Sequence, residues 1–375
     1  MEPPAAAFLV VVLLSCIHGA YSGEQKPGFA SIFSFGDSYA DTGNFLRLAA
    51  PFLPSVPINN PPYGETFFGH PTGRVSDGRL VLDFIADGLG LPFLPPVSAK
   101  GSDFSTGVNF AVGAAPALNL TYLQGQNITV KPPINSSLHD QLRWFEELKP
   151  SLCRDTPGYS GCFSKSLFIV GEFGANDYIY SFTSNKTIEQ TRSYVPVIID
   201  TISDGVERLI HHGAEFVVVA DMFPIGCLPA IQTAFASPDK ADYDGQGCLK
   251  SFNTMVSQYH NSLLRPRVEA LRSKYPHTKI VAAEYYQPVI AFLQDPDHFG
   301  FDRSKTLAAC CGGGGPYNYD PKAACGAPGR ATACAAPSKA IFWDGFHLTD
   351  SGYRNIADGW LHGPYAHPPI LDMVN

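Results

Sequence analysis

The sequence predicts an α/β protein built on a mainly parallel β-sheet. Short apolar runs that suit strands alternate along the chain with longer segments in which apolar residues recur every three or four positions, as in helices. One short run, residues 167–170, is apolar at every position, which is typical of a central strand covered on both faces. Because no repeat or linker-like segment divides the chain, we expect a single domain.

The first half of the chain predicts three strands and one amphipathic helix. The first strand covers residues 31–35 and is followed by a tight turn. Val81, Phe84, Ile85 and Leu89 then occupy one face of a helix within residues 77–90. A short second strand lies within residues 108–113, and the third is the buried run within residues 166–178, which ends in polar residues.

The second half continues the same alternation. Apolar residues between 199 and 210 form a helical stripe that ends at Gly213, and residues 214–222 predict the fourth strand. We expect one helix over about residues 252–264, a second helix after Pro266, and a fifth strand within residues 279–286. A loop rich in glycine and cysteine, about residues 300–340, precedes a last segment with a helical pattern.

The charge balance excludes one large class of partners. The 375 residues include 26 Lys and Arg against 34 Asp and Glu, which gives a formal charge of −8. The chain carries no basic run that could follow a phosphate backbone. We therefore expect no nucleic-acid partner, and the sequence does not indicate an oligomeric state.

The first 22 residues resemble a secretory signal peptide. An apolar stretch from Ala5 to Leu14 precedes small residues, and Ala20-Tyr21-Ser22 suits signal-peptide cleavage, although Glu2 stands where a basic residue is usual. The stretch is shorter than the roughly 20 residues that a membrane-spanning helix needs. We therefore expect a signal peptide over residues 1–22, a mature domain over residues 23–375, no transmembrane segment, and passage through the secretory pathway.

Glycosylation sequons and cysteines support export. Four asparagines lie in Asn-x-Ser/Thr sequons, namely Asn119, Asn127, Asn135 and Asn185. Removal of Cys16 with the signal leaves eight cysteines, an even number that suits disulfides. Zinc binding is the alternative, but the chain has no Cys-x-x-Cys motif. We expect no metal, and the first pairs we expect are Cys153 with Cys162 and Cys227 with Cys248.

Ser38 is the first candidate for catalysis. It follows the first predicted strand in a turn that begins at Gly36, at the carboxyl end where open α/β sheets bind ligands. A serine hydroxyl is a poor nucleophile until a base removes its proton, and the base needs a partner that fixes its tautomer. Taken alone, Gly-Asp-Ser is more often an ordinary turn that caps a helix at the serine.

Asp344 and His347 are candidates for the base and its partner, although a lone histidine is more often an ordinary core or surface group. They lie three residues apart just before the last helical segment, a spacing that lets the carboxylate orient the imidazole. Acyl transfer also needs hydrogen-bond donors for the oxyanion. Asn176, after the third strand, is a candidate amide, although an asparagine there also suits an Asx turn. The turn in residues 107–115 could bring a backbone N–H close.

Taken together and in order, these segments resemble the plant branch of the GDSL, or SGNH, esterase and lipase family. The opening block matches FGDSxxDxGN at residues 35–44, and later blocks match GxNFA at 107–111, GxND at 174–177 and DxxH at 344–347. CCGGGGPYN at 310–318 is also similar to a stretch of these plant proteins. The resemblance covers about residues 32–361.

The resemblance implies a flavodoxin-like parallel sheet with helices on both faces, the SGNH hydrolase fold, and no cofactor. It implies that Ser38 is the nucleophile, His347 the general base and then acid, and Asp344 the group that orients the imidazole. Asn176 corresponds to the amide of the oxyanion hole, together with the N–H of Ser38 and one from the second block. Two positions depart from the pattern: Tyr39 replaces the leucine of GDSL, and Ala114 replaces a glycine.

These residues predict a secreted, N-glycosylated carboxylic ester hydrolase of the apoplast, the cell wall or another secretory compartment. Its substrate would be a small-molecule or polysaccharide ester, since relatives act on lipids, acetylated wall polysaccharides, choline esters, pigments and alkaloid esters. An acyltransferase with the same triad is the close alternative. A noncatalytic carbohydrate-binding or defence protein is a third, which the intact set of catalytic residues disfavours.

Overall fold

A six-stranded sheet forms the centre of the protein. The computed structural model describes residues 28–374 except residues 54, 132, 133, 155, 157, 159 and 160. The predicted signal peptide, residues 1–22, lies outside the described residues. The main strands are β1 (Ser31–Phe35), β2 (Gly107–Asn109), β3 (Ser166–Val170), β4 (Phe216–Ala220) and β5 (Lys279–Ala283), followed by the short β6 (Cys311–Gly312), β7 (Thr332–Ala333) and β8 (Ala366–His367). All five strands predicted from the sequence are therefore confirmed.

The strand order is that of a flavodoxin-like sheet. The sheet runs β2-β1-β3-β4-β5-β8, and the first five strands are parallel. β8 pairs antiparallel with β5 at the edge, while β6 and β7 form a separate pair. The chain moves one way from β1 to β2 and then crosses back to β3, so β1 and β3 flank a topological switch point. Ligands of open α/β sheets bind at such a point, outside the carboxyl ends of the strands.

Helices cover the sheet in two groups. The helices are α1 (Asn44–Ala49), α2 (Val81–Gly88), α3 (Leu120–Gly125), α4 (Leu138–Leu152), α5 (Ala175–Thr183), α6 (Ile188–Ser193), α7 (Val195–His211), α8 (Pro229–Ala234), α9 (Lys250–Phe252), α10 (Gln258–Lys274), α11 (Tyr286–Gln294) and α12 (Asp350–His362). α4, α7 and α10 pack in a row, and α2 packs on α12. Right-handed crossovers in opposite directions from β1 place these groups on opposite faces.

The central strands are apolar because both faces of the sheet are covered. Every residue of β1 and β3 is buried. Aromatic side chains fill the layer between these strands and α4: Phe35 stacks on Phe110 with ring centres 5.0 Å apart, and Phe33 stacks on Phe168 at 5.1 Å. Phe145 of α4 packs edge-on against Phe35. This packing fixes the end of β1, which carries the turn of Ser38.

The predicted break at Pro266 is wrong. Pro266 lies inside α10, which is continuous from Gln258 to Lys274 and is joined to α9 by one π-helical segment, Asn253–Ser257. A proline removes one backbone hydrogen bond from a helix. Here His260, Leu264, Val268 and Leu271 are buried along the side that faces α7 and β5, and their burial compensates for that loss.

Four disulfides join the eight cysteines that follow the predicted signal peptide. They link Cys153 to Cys162, Cys227 to Cys248, Cys310 to Cys334 and Cys311 to Cys325. The first two pairs are those that the sequence predicted. The other two cross-link the glycine-rich loop, where a small cluster that includes Trp343 and Tyr63 packs on Cys310, Cys311 and Cys325.

We expect the mature protein to contain no free thiol. Every described cysteine is paired, so titration with a thiol reagent under denaturing, nonreducing conditions should give none per chain. The same titration after reduction should give eight, which is the internal control. Two or more thiols before reduction would contradict both the pairing and the oxidising compartment.

Candidate active site

The segments that resemble family blocks meet at the switch point of the sheet. Ser38 follows β1, Ala114 follows β2 and Asn176 begins α5 after β3, so all three lie at the carboxyl edge. His347 reaches them from the loop before α12. Together these residues line a cavity of about 270 Å³. The structure thus brings together every catalytic and oxyanion residue that the sequence predicted.

Ser38, His347 and Asp344 form one hydrogen-bonded chain. The Oγ atom of Ser38 lies 2.8 Å from Nε2 of His347. Nδ1 of His347 lies 2.9 Å from Oδ1 and 3.0 Å from Oδ2 of Asp344. Because Nδ1 faces a carboxylate, its proton lies on that side of the ring, and Nε2 is left to accept the proton of the serine. The arrangement can generate a serine nucleophile.

Asp344 is held as an anion inside the protein. Its Oδ1 accepts hydrogen bonds from the N–H groups of Phe346 at 2.8 Å and His347 at 2.9 Å, and its Oδ2 accepts one from the hydroxyl of Tyr63 at 2.9 Å. Burial raises the pKa of Asp344, but the charge of His347, the hydrogen bond from its side chain and the two backbone N–H bonds outweigh burial and bring the pKa below its ordinary value. The carboxylate is therefore held in its ionised form beside the imidazole.

Buried polar side chains fix the turns that carry the site. Gln141 of α4 accepts from the N–H of Gly36 at 3.0 Å and donates to its carbonyl at 2.8 Å. Asp41 accepts from the N–H of Gly113 at 2.7 Å, which ties the serine turn to the second block. Gly107 must be glycine, because a Cβ there would overlap the carbonyl oxygen of Ile32 in β1.

Ala114 adopts the backbone conformation that usually requires glycine. Its φ is 65°, and a hydrogen bond from the N–H of Ala115 to the carbonyl of Val112, 3.0 Å long, closes the turn. The hydroxyl of Tyr180 donates to the carbonyl of Ala114 at 2.8 Å. Among the described residues, the N–H groups of Ala114 and Ser38 have no acceptor, whereas that of Gly113 is bound to Asp41. Two unpaired donors thus accompany the serine.

Asn176 lies in the cavity, but its amide hydrogens are engaged. Nδ2 donates to Oδ2 of Asp37 at 2.7 Å and to the carbonyl of Ala115 at 3.1 Å. An amide nitrogen has two hydrogens, so Asn176 can donate to an oxyanion only by weakening one of these bonds. The longer bond, to Ala115, is the one that costs less to give up.

The remaining cavity wall is mainly apolar. Phe45, Ile58, Val75, Ile179, Phe223 and Phe346 line it, with Lys131 among the lining residues. Tyr39 takes the place of the family leucine in this wall. Its ring stacks on Phe223 with centres 4.6 Å apart, and its hydroxyl donates to the carbonyl of Phe346 at 2.7 Å. The tyrosine therefore also ties the serine turn to the histidine loop.

Sequence reasoning missed several residues that hold the site. Tyr63 comes from a proline-rich loop with no motif, and Gln141 lies in an ordinary amphipathic helix. Asp177 accepts from the N–H groups of Ala117 and Leu118 and so anchors the chain after the second block. Two of them carried a signal: Asp177 is the last residue of the GxND block, and Glu172 is a charged residue two positions after a buried strand.

Metal sites and membrane-spanning helices are absent from the described part of the chain. No three histidine, cysteine, aspartate or glutamate side chains there are grouped so that they could hold a metal ion. In the same residues, no helix is both long and apolar enough to cross a membrane.

A hydrogen-bonded serine, histidine and aspartate at the switch point of a flavodoxin-like sheet is an arrangement suited to nucleophilic hydrolysis. The model of the GDSL-like lipase/acylhydrolase family matches residues 32–360, and the chain belongs to that family of carboxylic ester hydrolases. Three proteins of Arabidopsis thaliana, each named a GDSL esterase/lipase, are similar over most of their length. The first is 44% identical, with 98% of this chain and 94% of the relative covered. The second is 43% identical, with 91% and 86% of the two chains covered in the same order. The third is 41% identical, with 96% and 92% covered.

Proposed function

We propose that this protein is a secreted esterase that works through an acyl-enzyme on Ser38. The observation that carries the proposal is the hydrogen bond of 2.8 Å between Ser38 Oγ and His347 Nε2, at the wall of an apolar cavity. Membership of a carboxylic ester hydrolase family supports the reaction class. The substrate class that follows is an ester with an apolar portion that enters this cavity.

The proposed reaction has two steps. Ser38 attacks the ester carbonyl while His347 takes its proton, and the N–H groups of Ser38 and Ala114 with the amide of Asn176 bind the oxyanion. His347 then protonates the leaving alcohol, which leaves the acyl group on Ser38. Water, deprotonated by His347, attacks the acyl-enzyme; the bond from the acyl carbon to Ser38 Oγ then breaks, His347 returns the proton to Oγ, and the acid is released. Asp344 holds the tautomer of His347 and stabilises the imidazolium in both steps.

Export and glycosylation are part of the proposal. Disulfide pairing of every described cysteine favours an oxidising compartment. The four sequon residues, Asn119, Asn127, Asn135 and Asn185, are all exposed, so glycans on them would not disturb the core. A signal peptide over residues 1–22 and a mature domain from residue 23 complete this assignment, with the apoplast or cell wall as the destination.

The cavity favours esters with a compact apolar group. A cavity of roughly 150 Å³ holds a benzene ring, and the cavity beside Ser38 measures about 270 Å³. It therefore has room for one ring with a short substituent or for a short acyl chain. Long acyl chains would have to leave the cavity and expose apolar surface, which gives no gain in binding.

The proposed function is tested with purified protein on esters of graded acyl length and on aryl esters. We expect hydrolysis that a fluorophosphonate abolishes, with kcat/KM highest for short or aromatic acyl groups and lower for long chains. Adding acceptor alcohols to the same assay distinguishes hydrolysis from acyl transfer, because an acyltransferase would yield a new ester in place of the acid. Lack of turnover with every ester, and lack of fluorophosphonate labelling, would contradict the proposal.

The oxyanion donors give a paired prediction. We expect Asn176→Ala to lower kcat by about 10² to 10³, the usual cost of one lost donor. Ala114→Gly keeps its N–H and relieves a strain of about 1 kcal/mol at φ 65°, so turnover should equal or exceed that of the parent. Both are measured as kcat on one ester. A tenfold or larger loss of kcat in Ala114→Gly would contradict the assignment of this N–H to the oxyanion site.

A further inference from the structure

Two carboxyl groups are buried side by side directly behind the serine turn. Asp37, which precedes Ser38, is 2% exposed, and Glu172, which follows β3, is 1% exposed. The two carboxyl groups interact: a hydrogen bond between their side chains lowers the pKa of Asp37 and raises that of Glu172. Two carboxylates offer only acceptors, so a hydrogen bond between them requires a proton on one of the two.

The neighbouring donors show which carboxyl carries the proton. Asp37 accepts from the N–H of Tyr39 at 2.9 Å and from Nδ2 of Asn176 at 2.7 Å, which favours its ionised form. Glu172 accepts only from the N–H of Ala175, at 3.0 Å through Oε1, and its buried Oε2 has no donor among the described residues. This difference in donors favours the ionised form of Asp37 and the neutral form of Glu172.

The electrostatic surroundings agree with this assignment. Burial raises the pKa of Glu172 well above its ordinary range, and the charge of Asp37 raises it further. Burial also raises the pKa of Asp37, to about 6, against the hydrogen bonds that lower it. The other titratable groups that interact with the pair are His347, Asp177, Tyr39, Tyr178, Tyr180, Tyr285 and Tyr353. Of these, only His347 can carry positive charge.

The pair connects the two turns on which the proposed chemistry depends. Through Asp37 it holds the N–H of Tyr39, next to Ser38, and through Glu172 it holds the N–H of Ala175, next to Asn176. Asp37 also binds the Asn176 amide directly. We propose that Glu172 is a neutral carboxylic acid whose proton, shared with Asp37, locks the serine turn to Asn176, which makes Glu172 a positioning residue. Its catalytic consequence rests on the proposed esterase function.

The shared proton makes the unit sensitive to alkaline pH. The pKa of Glu172 is raised in the folded state, so the stability it contributes is present below the ordinary carboxyl range and is lost as pH rises towards the folded pKa. Once the proton leaves, two buried carboxylates repel each other, and the pair no longer connects the serine turn to Asn176. We therefore expect thermal stability to fall as pH rises towards the pKa of Glu172 in the folded protein, and kcat to fall as pH passes through that pKa.

Two substitutions distinguish the role of the hydrogen-bond donor on Glu172 from the role of the volume of its side chain. Glu172→Gln keeps a donor towards Asp37 and should retain at least about a third of the parent kcat. Glu172→Leu removes the donor, frees Asp37 to bind Asn176 more tightly, and should lower kcat by about 10- to 100-fold with KM within about twofold. Asp221→Asn is the matched control, because Asp221 is another buried carboxyl whose pKa burial raises, to about 7, and it does not line the cavity.

Infrared spectroscopy reports the proton without any substrate. At about pH 8 the parent should show the carbonyl band of a neutral carboxylic acid that is missing in Glu172→Gln and present in Asp221→Asn. The melting temperature of Glu172→Gln should also fall less than that of the parent between about pH 5 and about pH 8. These readouts stand even if the esterase proposal fails or Glu172→Leu does not fold.

Three outcomes would overturn the inference. The first is a carboxylic-acid band in Glu172→Gln that is as strong as in the parent; this result would mean that Glu172 carries no proton. The second is an equal loss of kcat in Glu172→Gln and Glu172→Leu, which would mean that an ionisable group is needed there. The third is parental kcat in a folded Glu172→Leu, which would show that the pair positions nothing.

Discussion

Replacing Ser38 by alanine is expected to lower ester turnover by a factor of about 10⁴ or more while the protein stays folded. Ser38 Oγ makes its hydrogen bond to His347 Nε2 at 2.8 Å, and the side chain is partly exposed at the cavity wall, so its loss leaves no buried void. Turnover on one short-chain ester and the melting temperature are the two measurements.

Two controls make the Ser38 result specific. Fluorophosphonate labelling should occur in the parent and be absent in Ser38→Ala, which shows that the same hydroxyl is attacked. His347→Ala should lose turnover to a similar extent, because residues that act as one unit have non-additive effects. A loss of no more than about tenfold in Ser38→Ala would reject Ser38 as the nucleophile.

Asp344→Asn is expected to cost about 10⁴ in kcat, close to the effect of losing the serine. Because the N–H groups of Phe346 and His347 need an oxygen at Oδ1, the amide nitrogen takes the place of Oδ2 and donates towards Nδ1 of His347. The imidazole then favours the other tautomer, with its Nε2–H facing Ser38. The proton of the serine then has no acceptor. The measurement is kcat across a range of pH, with the melting temperature as a check on folding.

Tyr63→Phe is the matched control for Asp344→Asn. It removes the hydroxyl that donates to Oδ2 of Asp344 at 2.9 Å but leaves the carboxylate and its bonds to His347 in place. We expect a loss of no more than about 150-fold, since a hydrogen bond to a charged group is worth about 1.5 to 3 kcal/mol and about 1.4 kcal/mol is a factor of ten. Equal losses in the two variants would contradict a specific role for Asp344 in fixing the tautomer.

The sequence by itself determined the parallel strands, the spacing of Asp344 and His347 and two of the disulfides. These features depend on residues that are close in the chain: apolar periodicity marks an element, three residues separate Asp344 from His347, and short loops favour the pairs Cys153–Cys162 and Cys227–Cys248. The blocks around Ser38 and Asn176 are equally local. Each block predicted where its turn lies at the carboxyl edge of the sheet.

Only the tertiary structure decided which buried polar groups become partners. Tyr63 and Asp344 are 281 residues apart in the chain, and Asp37 and Asn176 are 139 apart, so neither pair leaves a local pattern. β8 has two residues, too few for any periodicity, and α10 runs through Pro266 because its buried side packs on α7 and β5. Strand order decides which turns meet, and the cost of burying an unpaired polar group then decides which side chains must pair there.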